Sequence, residues 1–462
     1  KPNRQTMASL SSMRGGDDER HVMVPKTPEV QRAPGRNGGG ATASFYPAYH
    51  LGIAFFLTFA ALMPTQNLLT SLNGTLGYYS IAVLYFCMAV AGPAAPFVVQ
   101  YFGGPKGALV ASAFTYLVFQ VANVLVGIKS IPSAVNYVIL LPPSALVGVG
   151  ACVLWTAEGI YATRVSKAYD DQAAANRLDD GNEARNTLGF VNGLVLLFLQ
   201  SANLVMNLAS SALLSSGASA VTLFIVLAAL SGAGWISYIF LPVVTSEEDR
   251  AANERTLSES INDILALHRE RKLLILLSLF VLCGFNQGYL WSAFTADVVT
   301  ASLGKEWIGY VMATSAAVDA LGSYLFGFLS DRFGRNPLFI FGIIVNLVPC
   351  IILTIIGVPD GNSYALIFGI GIFLGIADAV WMTITSALLA EEFPGQKTTS
   401  AFAAFTMWRS FTTALMSLLG PFIPFSSRTI ILGASIVVFG ITKFADIWMC
   451  RTEYGQVLRV DA

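Results

Sequence analysis

Twelve apolar stretches, each long enough to cross a hydrocarbon layer of about 30 Å, run through this chain from residue 48 onward. Their bounds are 48–69, 78–101, 106–128, 136–162, 187–210, 220–243, 272–295, 306–329, 337–357, 362–388, 396–420 and 429–450. Inside a bilayer no water satisfies the backbone, so a spanning segment is a helix or part of a closed barrel. Barrel strands read as alternating segments of about ten residues. Continuous apolar runs of about twice that length read as helices. The expected fold class is therefore an all-α polytopic membrane protein. Composition agrees: 55% of residues are hydrophobic and 12% charged, against about 45–50% and 25% in soluble domains. A net charge of −1 offers no field for nucleic acid. Cys87, Cys152, Cys283, Cys350 and Cys450 fall in apolar runs without a Cys-x-x-Cys pair, and the three histidines are scattered. No phosphate loop, catalytic triad or metal constellation is legible, so neither an enzyme nor a cofactor or metal is expected.

Charge sorts the segments between the spans. With the amino terminus on the cytoplasmic side, and with Lys106, Lys272 and Lys397 at the span edges counted as cytoplasmic, 22 of the 27 Lys and Arg fall in cytoplasmic segments, 3 in the opposite loops and 2 inside spans. That bias supports both the count and the orientation, with both termini cytoplasmic. Residues 1–44 are polar and rich in Gly and Pro, a composition that reads as a disordered cytoplasmic tail. A charged linker at 244–271 separates a six-helix half at 45–243 from a second at 272–450, and 451–462 reads as a cytoplasmic tail. Internal similarity supports a repeat. Ala157-Glu158-Gly159-Ile160-Tyr161 in the fourth span matches Ala377-Asp378-Ala379-Val380-Trp381 in the tenth. Leu199-Gln200-Ser201 in the fifth matches Trp408-Arg409-Ser410 in the eleventh.

Between the eighth and ninth spans stands Gly327-Phe328-Leu329-Ser330-Asp331-Arg332-Phe333-Gly334-Arg335. It resembles the G-x-L-x-D-R-x-G-R signature of the major facilitator superfamily, whose two six-helix halves are parallel repeats. Gly334 permits the short turn, Arg332 and Arg335 sit at the membrane edge, and Asp331 is placed to pair with one of them or to accept helix N-terminal N–H groups. The resemblance implies a cytoplasmic gating motif that latches the halves in one access state; a solvated positive-inside loop is the plainer alternative. Gly103-Gly104-Pro105-Lys106-Gly107 is a degenerate copy without the acid.

A narrower resemblance rests on Gln66-Asn67-Leu68-Leu69-Thr70-Ser71-Leu72-Asn73 before Leu76-Gly77, on Leu154-Trp155-Thr156-Ala157-Glu158-Gly159-Ile160-Tyr161, on Gly375-Ile376-Ala377-Asp378-Ala379, and on Ala401-Phe402-Ala403-Ala404-Phe405 with Trp408. In that order, over about 48–450, these look like the Unc-ninety-three family, a divergent branch of the same superfamily. The resemblance implies an accessory protein. Such proteins regulate two-pore potassium channels, escort innate immune receptors or affect potassium balance. The implied partners are the lipid bilayer, a channel or receptor protein, and an ion or small solute, with the plasma membrane as the first location and an endomembrane as the second.

An ionisable side chain inside a bilayer costs a few kcal/mol or more and is a functional candidate. Glu158, Asp378 and Arg409 are such residues, and Gln200 is the counterpart of Arg409. In the resembled fold the first, fourth, seventh and tenth helices line a central cavity. Glu158 and Asp378 would then face each other, with Arg409 to neutralise one. They would serve either a cation or proton site for coupled transport, or a structural ion pair. Asn67, Asn286 and Gln287 suit ligand hydrogen bonding and helix-to-helix bonding equally. Trp155, Tyr161, Tyr289, Trp291, Trp381 and Trp408 suit cavity lining, an interfacial belt or packing. Asp319, among small residues, is expected in an interhelical hydrogen bond, Asp297 in solvent, and Lys443 in a pair with Asp446. Asn73-Gly74-Thr75 is a glycosylation sequon in the first outer loop.

Overall fold

A chain whose apolar runs leave no backbone partner but itself folds into long helices, and twelve dominate the described residues. The computed structural model describes residues 44–128, 132–176, 187–244 and 257–460; the side chains of 173–176, 331, 396 and 448–460 are outside that description. The tail expected at 1–44 falls almost wholly outside the described residues, as do 245–256 of the linker and the side chains of 451–462. The helices are α1 (Tyr46–Asn73), α2 (Thr75–Tyr101), α3 (Pro105–Val126), α4 (Ser133–Asn176), α5 (Leu188–Ser215), α6 (Ala220–Ile239), α7 (Arg271–Leu303), α8 (Ile308–Phe333), α9 (Asn336–Ile356), α10 (Tyr364–Glu392), α11 (Gln396–Leu418) and α12 (Phe425–Val460). They belong to one compact body, Ala43–Ala462.

Among the described residues, eleven helices are long and apolar enough to cross a membrane; α11 has the length, 23 residues, but not the apolarity. Its surroundings explain that. It packs between α2 and α7, so much of its surface meets protein rather than lipid and tolerates Lys397 and Arg409. Pro93 lies in the tight turn Gly92–Ala94 that interrupts α2, where proline removes an N–H; α4 continues through Pro142 and Pro143. Over Tyr289–Thr300, α7 widens to i→i+5 turns, a geometry found mostly at functional positions.

The packing partners recur with a shift of six helices. α1 packs on α5 and α6, and α7 on α11 and α12. α4 packs on α2 and α3, and α10 on α8 and α9; α3 meets α6 as α9 meets α12. The buried apolar residues accordingly form two clusters, one drawn mainly from 48–241 and one mainly from 264–439. Two large contacts join the clusters, α2 on α11 and α5 on α8.

Within the region read as a charged loop, Leu257–Leu267 forms a helix. Its Ile264 and Leu267 are buried, and it touches α11 and the turn in α2. Just beyond it, His268 accepts a hydrogen bond at Nε2 from Nε1 of Trp408 on α11, 2.8 Å away. Lys443 pairs with Asp446 at 3.1 Å, as their spacing predicts.

Candidate functional site

Polar contacts between the first six helices and the last six gather at the end carrying the α1–α2, α5–α6, α7–α8 and α11–α12 loops. Thr300 on α7 donates to the Ser71 hydroxyl on α1 at 2.8 Å, and Thr70 donates to the Ser292 carbonyl at 3.3 Å. The backbone N–H of Tyr310 on α8 donates to the Ser211 hydroxyl on α5 at 3.1 Å. Gly309, beside it, lets the helices touch: a Cβ there would lie 2.0 Å from the Asn207 carbonyl oxygen.

A charged group lies in the same place. Arg428 on α12 donates from Nη2 to Asp297 on α7 at 2.7 Å and from Nη1 to the Tyr78 hydroxyl on α2 at 3.2 Å; Tyr78 donates to Asp297 at 3.0 Å. The expectation of a solvated Asp297 is corrected here. Burial of Arg428, with side-chain exposure of 3%, makes the carboxylate its counter-charge. Sequence reasoning left Arg428 among the loop charges and so missed the group.

Beneath this closed end lies a cavity of about 800 Å³ lined by α1, α2, α3, α4, α5, α7, α8, α10 and α11. Leu196 and Leu197 on α5 and Tyr324 on α8 line the cavity and are also exposed, so it reaches the surface between these two helices. Of the residues singled out in the sequence, Asp378, Arg409, Gln200, Asn67 and Gln287 line it. Asn286 stands behind the wall and donates from Nδ2 to Asp378 Oδ1 at 3.3 Å. Glu158, half-buried on α4, is not among the lining residues. Arg409 reaches the Met382 sulfur at 3.8 Å and makes no direct ion pair with Asp378 among the described contacts, although its charge reaches that carboxylate. Asn67 donates to Asn207 Oδ1 at 2.9 Å, and Gln287 reaches the Met382 sulfur at 3.9 Å.

A second carboxylate in the cavity is Asp319 on α8. It makes the interhelical bond expected of it, accepting from Gln200 Nε2 on α5 at 3.2 Å and from Ser323 at 3.5 Å. It also belongs to the cavity, a role the small residues around it did not suggest. Replacing Gln200 by leucine removes one of those two donors. The expected cost is about 1–2 kcal/mol, read as a lower unfolding temperature of the purified protein. Of the aromatics, Trp155, Trp291, Tyr85 and Tyr116 line the cavity. Tyr161, Tyr289 and Trp381 are buried in helix packing.

At the α8–α9 connection, Gly334 takes a φ of 77° that suits glycine and ends α8. Arg335 pairs with Glu391 at the end of α10, while Arg332 lies 5.7 Å from the Phe333 ring. Gly327 faces Thr383, with its methyl 3.9 Å from a built Cβ. The Asp331 side chain lies outside the described residues. Asn73 ends α1 with Nδ2, the atom a glycan would join, buried and without a hydrogen-bond partner in the structure.

Comparisons with known proteins agree with this architecture. The chain is 16% identical to the nucleoside transporter NupG, with a TM-score of 0.59 over 87% of this chain and 98% of that one. It is 15% identical to a D-xylose-proton symporter, with a TM-score of 0.60 over 87% and 96%. These likenesses show the fold alone, which the chain shares with the two transporters. Among sequence relatives, Protein unc-93 homolog A of Xenopus laevis is 27% identical, covering 86% of this chain and 92% of its own length. UNC93-like protein 3 of Arabidopsis thaliana is 27% identical over 83% and 82%. The Putative potassium channel regulatory protein unc-93 of Caenorhabditis elegans is 24% identical over 79% and 55%. The family model described as "Ion channel regulatory protein UNC-93" matches residues 70–445, and the chain belongs to that family.

Proposed function

We propose that this protein is a regulatory subunit for a membrane channel, acting in potassium handling. The family match across 70–445 carries the reading, and the name of the nematode relative supplies the potassium context. Its body is twelve membrane helices in two six-helix repeats, α11 among them, a reading supported by the recurrence of packing partners at a shift of six. The positive-inside bias supports a cytoplasmic side for both termini and for the open end of the cavity; the family resemblance supports the plasma membrane as the location, with an endomembrane as the second. No enzymatic activity is proposed. The test is co-expression of the full chain with a panel of two-pore potassium channels in cells with little native potassium current. A change of at least about twofold in whole-cell current for one channel is expected; unchanged currents and surface levels across the panel overturn the reading.

The cavity favours a second reading, alternating-access transport of a small solute coupled to a cation or proton. Asp378, Asp319 and Arg409 would be its charged groups; Glu158 sits outside the lining of this state and joins only if another state turns it inward. Gradient-driven flux through liposomes holding only this protein, abolished in a folded Asp378→Asn variant, is the result that reading expects. Absence of flux under potassium, sodium and proton gradients leaves the regulatory role alone.

A further inference from the structure

The cavity has two unlike walls. One is aromatic: Phe59 lies 5.5 Å from Trp155, and Tyr85 stacks on Trp291 at 5.6 Å, all four facing the space. The other carries Asp319, Asp378 and Arg409. With both carboxylates ionised, two negative charges face one guanidinium. Asp378 takes a hydrogen bond from Asn286, Asp319 takes two from Gln200 and Ser323, and neither has a cation in direct contact among the described residues.

Each feature bears on what would complete the site. One positive charge would balance the acidic wall. A bare metal ion fits poorly: about 800 Å³ is the size of a pocket for an organic ligand. Among the described residues no three His, Cys, Asp or Glu converge as a metal would need. Aromatic faces attract an organic cation through their quadrupoles and cover its apolar body at the same time.

We infer that the cavity binds an amphiphilic organic monocation, its charge held by Asp319 and Asp378 and its apolar body held against the aromatic wall. The inference rests on the second functional reading only in taking the cavity as a ligand site; it does not require the ligand to cross the membrane.

Tetraphenylphosphonium serves as the probe, because its charge is permanent and its body aromatic. Equilibrium binding of the radiolabelled cation to the purified full chain in nanodiscs is expected to saturate at one per chain. Neutral triphenylphosphine oxide in tenfold excess should not displace it. Asp378→Asn and Asp319→Asn should each weaken binding by at least about tenfold. Trp291→Leu, which keeps an apolar side chain and removes an aromatic face, tests the wall should an aspartate variant fail to fold; it should weaken tetraphenylphosphonium binding by about threefold. Lack of saturable binding, equal displacement by the neutral compound, or full affinity in both folded aspartate variants overturns the inference. Binding without flux overturns the transport reading and leaves this one standing; flux of inorganic ions without binding does the reverse.

Discussion

Replacing Arg428 by methionine is expected to destabilise the protein by about 3 kcal/mol or more, because it strands a carboxylate among packed helices. Arg428 is the direct cationic partner of Asp297, and Asp297 would keep one donor, the Tyr78 hydroxyl. The magnitude belongs at the lower end of the range for broken buried pairs, since the Asp297 side chain retains 30% exposure while that of Arg428 retains 3%. The loss should not be simply that of one hydrogen bond. Arg428 also lies 5.4 Å over the Tyr78 ring and ties α12 to α2, helices from opposite ends of the chain. The double variant Arg428→Met with Asp297→Asn removes the stranded charge as well as the pair. It should therefore be more stable than the single Arg428→Met variant, a coupling that a double-mutant cycle on unfolding temperatures reads directly. Equal stability of wild type and Arg428→Met would mean that the group is solvated and holds nothing together.

The bilayer makes helices easy to read and contacts hard to read. The first apolar run was bounded at 48–69 and the helix is Tyr46–Asn73; the ninth at 337–357 and the helix is Asn336–Ile356. Lipid leaves the backbone no alternative, so apolar length translates into helix length. The linker was read by its charges, although Leu257, Ile261, Ile264 and Leu265 recur at helical spacing and mark one face of Leu257–Leu267. Position along a helix was also legible. The internal repeat placed Glu158 and Asp378 at matching depths, and Gln200 and Arg409 do both line the cavity. Direction around a helix was not. One residue turns a side chain by about 100°, so equal depth does not give an equal face, and Asp319 rather than Glu158 is the second carboxylate in the cavity. The Asp297–Arg428 pair joins residues 131 apart in sequence, a separation over which no periodic pattern carries information.

The Gly309→Val variant should open the cavity at the end that is now closed. A Cβ at that position would lie 2.0 Å from the Asn207 carbonyl oxygen and 2.6 Å from the Ser211 hydroxyl. The first of these belongs to a helix backbone and cannot turn aside as a flexible side chain would. α8 and α5 must therefore separate there, and the Tyr310 N–H bond to Ser211 is lost with their contact. The cavity already reaches the surface at Leu196, Leu197 and Tyr324, and separation at Gly309 adds a second opening. A cysteine at Ala316, on the cavity wall of α8, reports the change. With the closed end outward at the plasma membrane, as proposed, a membrane-impermeant maleimide applied from outside intact cells should react with Ala316→Cys at least about tenfold faster in the Gly309→Val background, a shift that needs only about 1.4 kcal/mol between two states. The milder Gly309→Ala should give an intermediate rate, because its clash is the same Cβ without the branched methyls. If both folded variants react no faster than Ala316→Cys alone, closure depends on the α2, α7 and α12 group around Arg428, and the α5–α8 contact merely accompanies it.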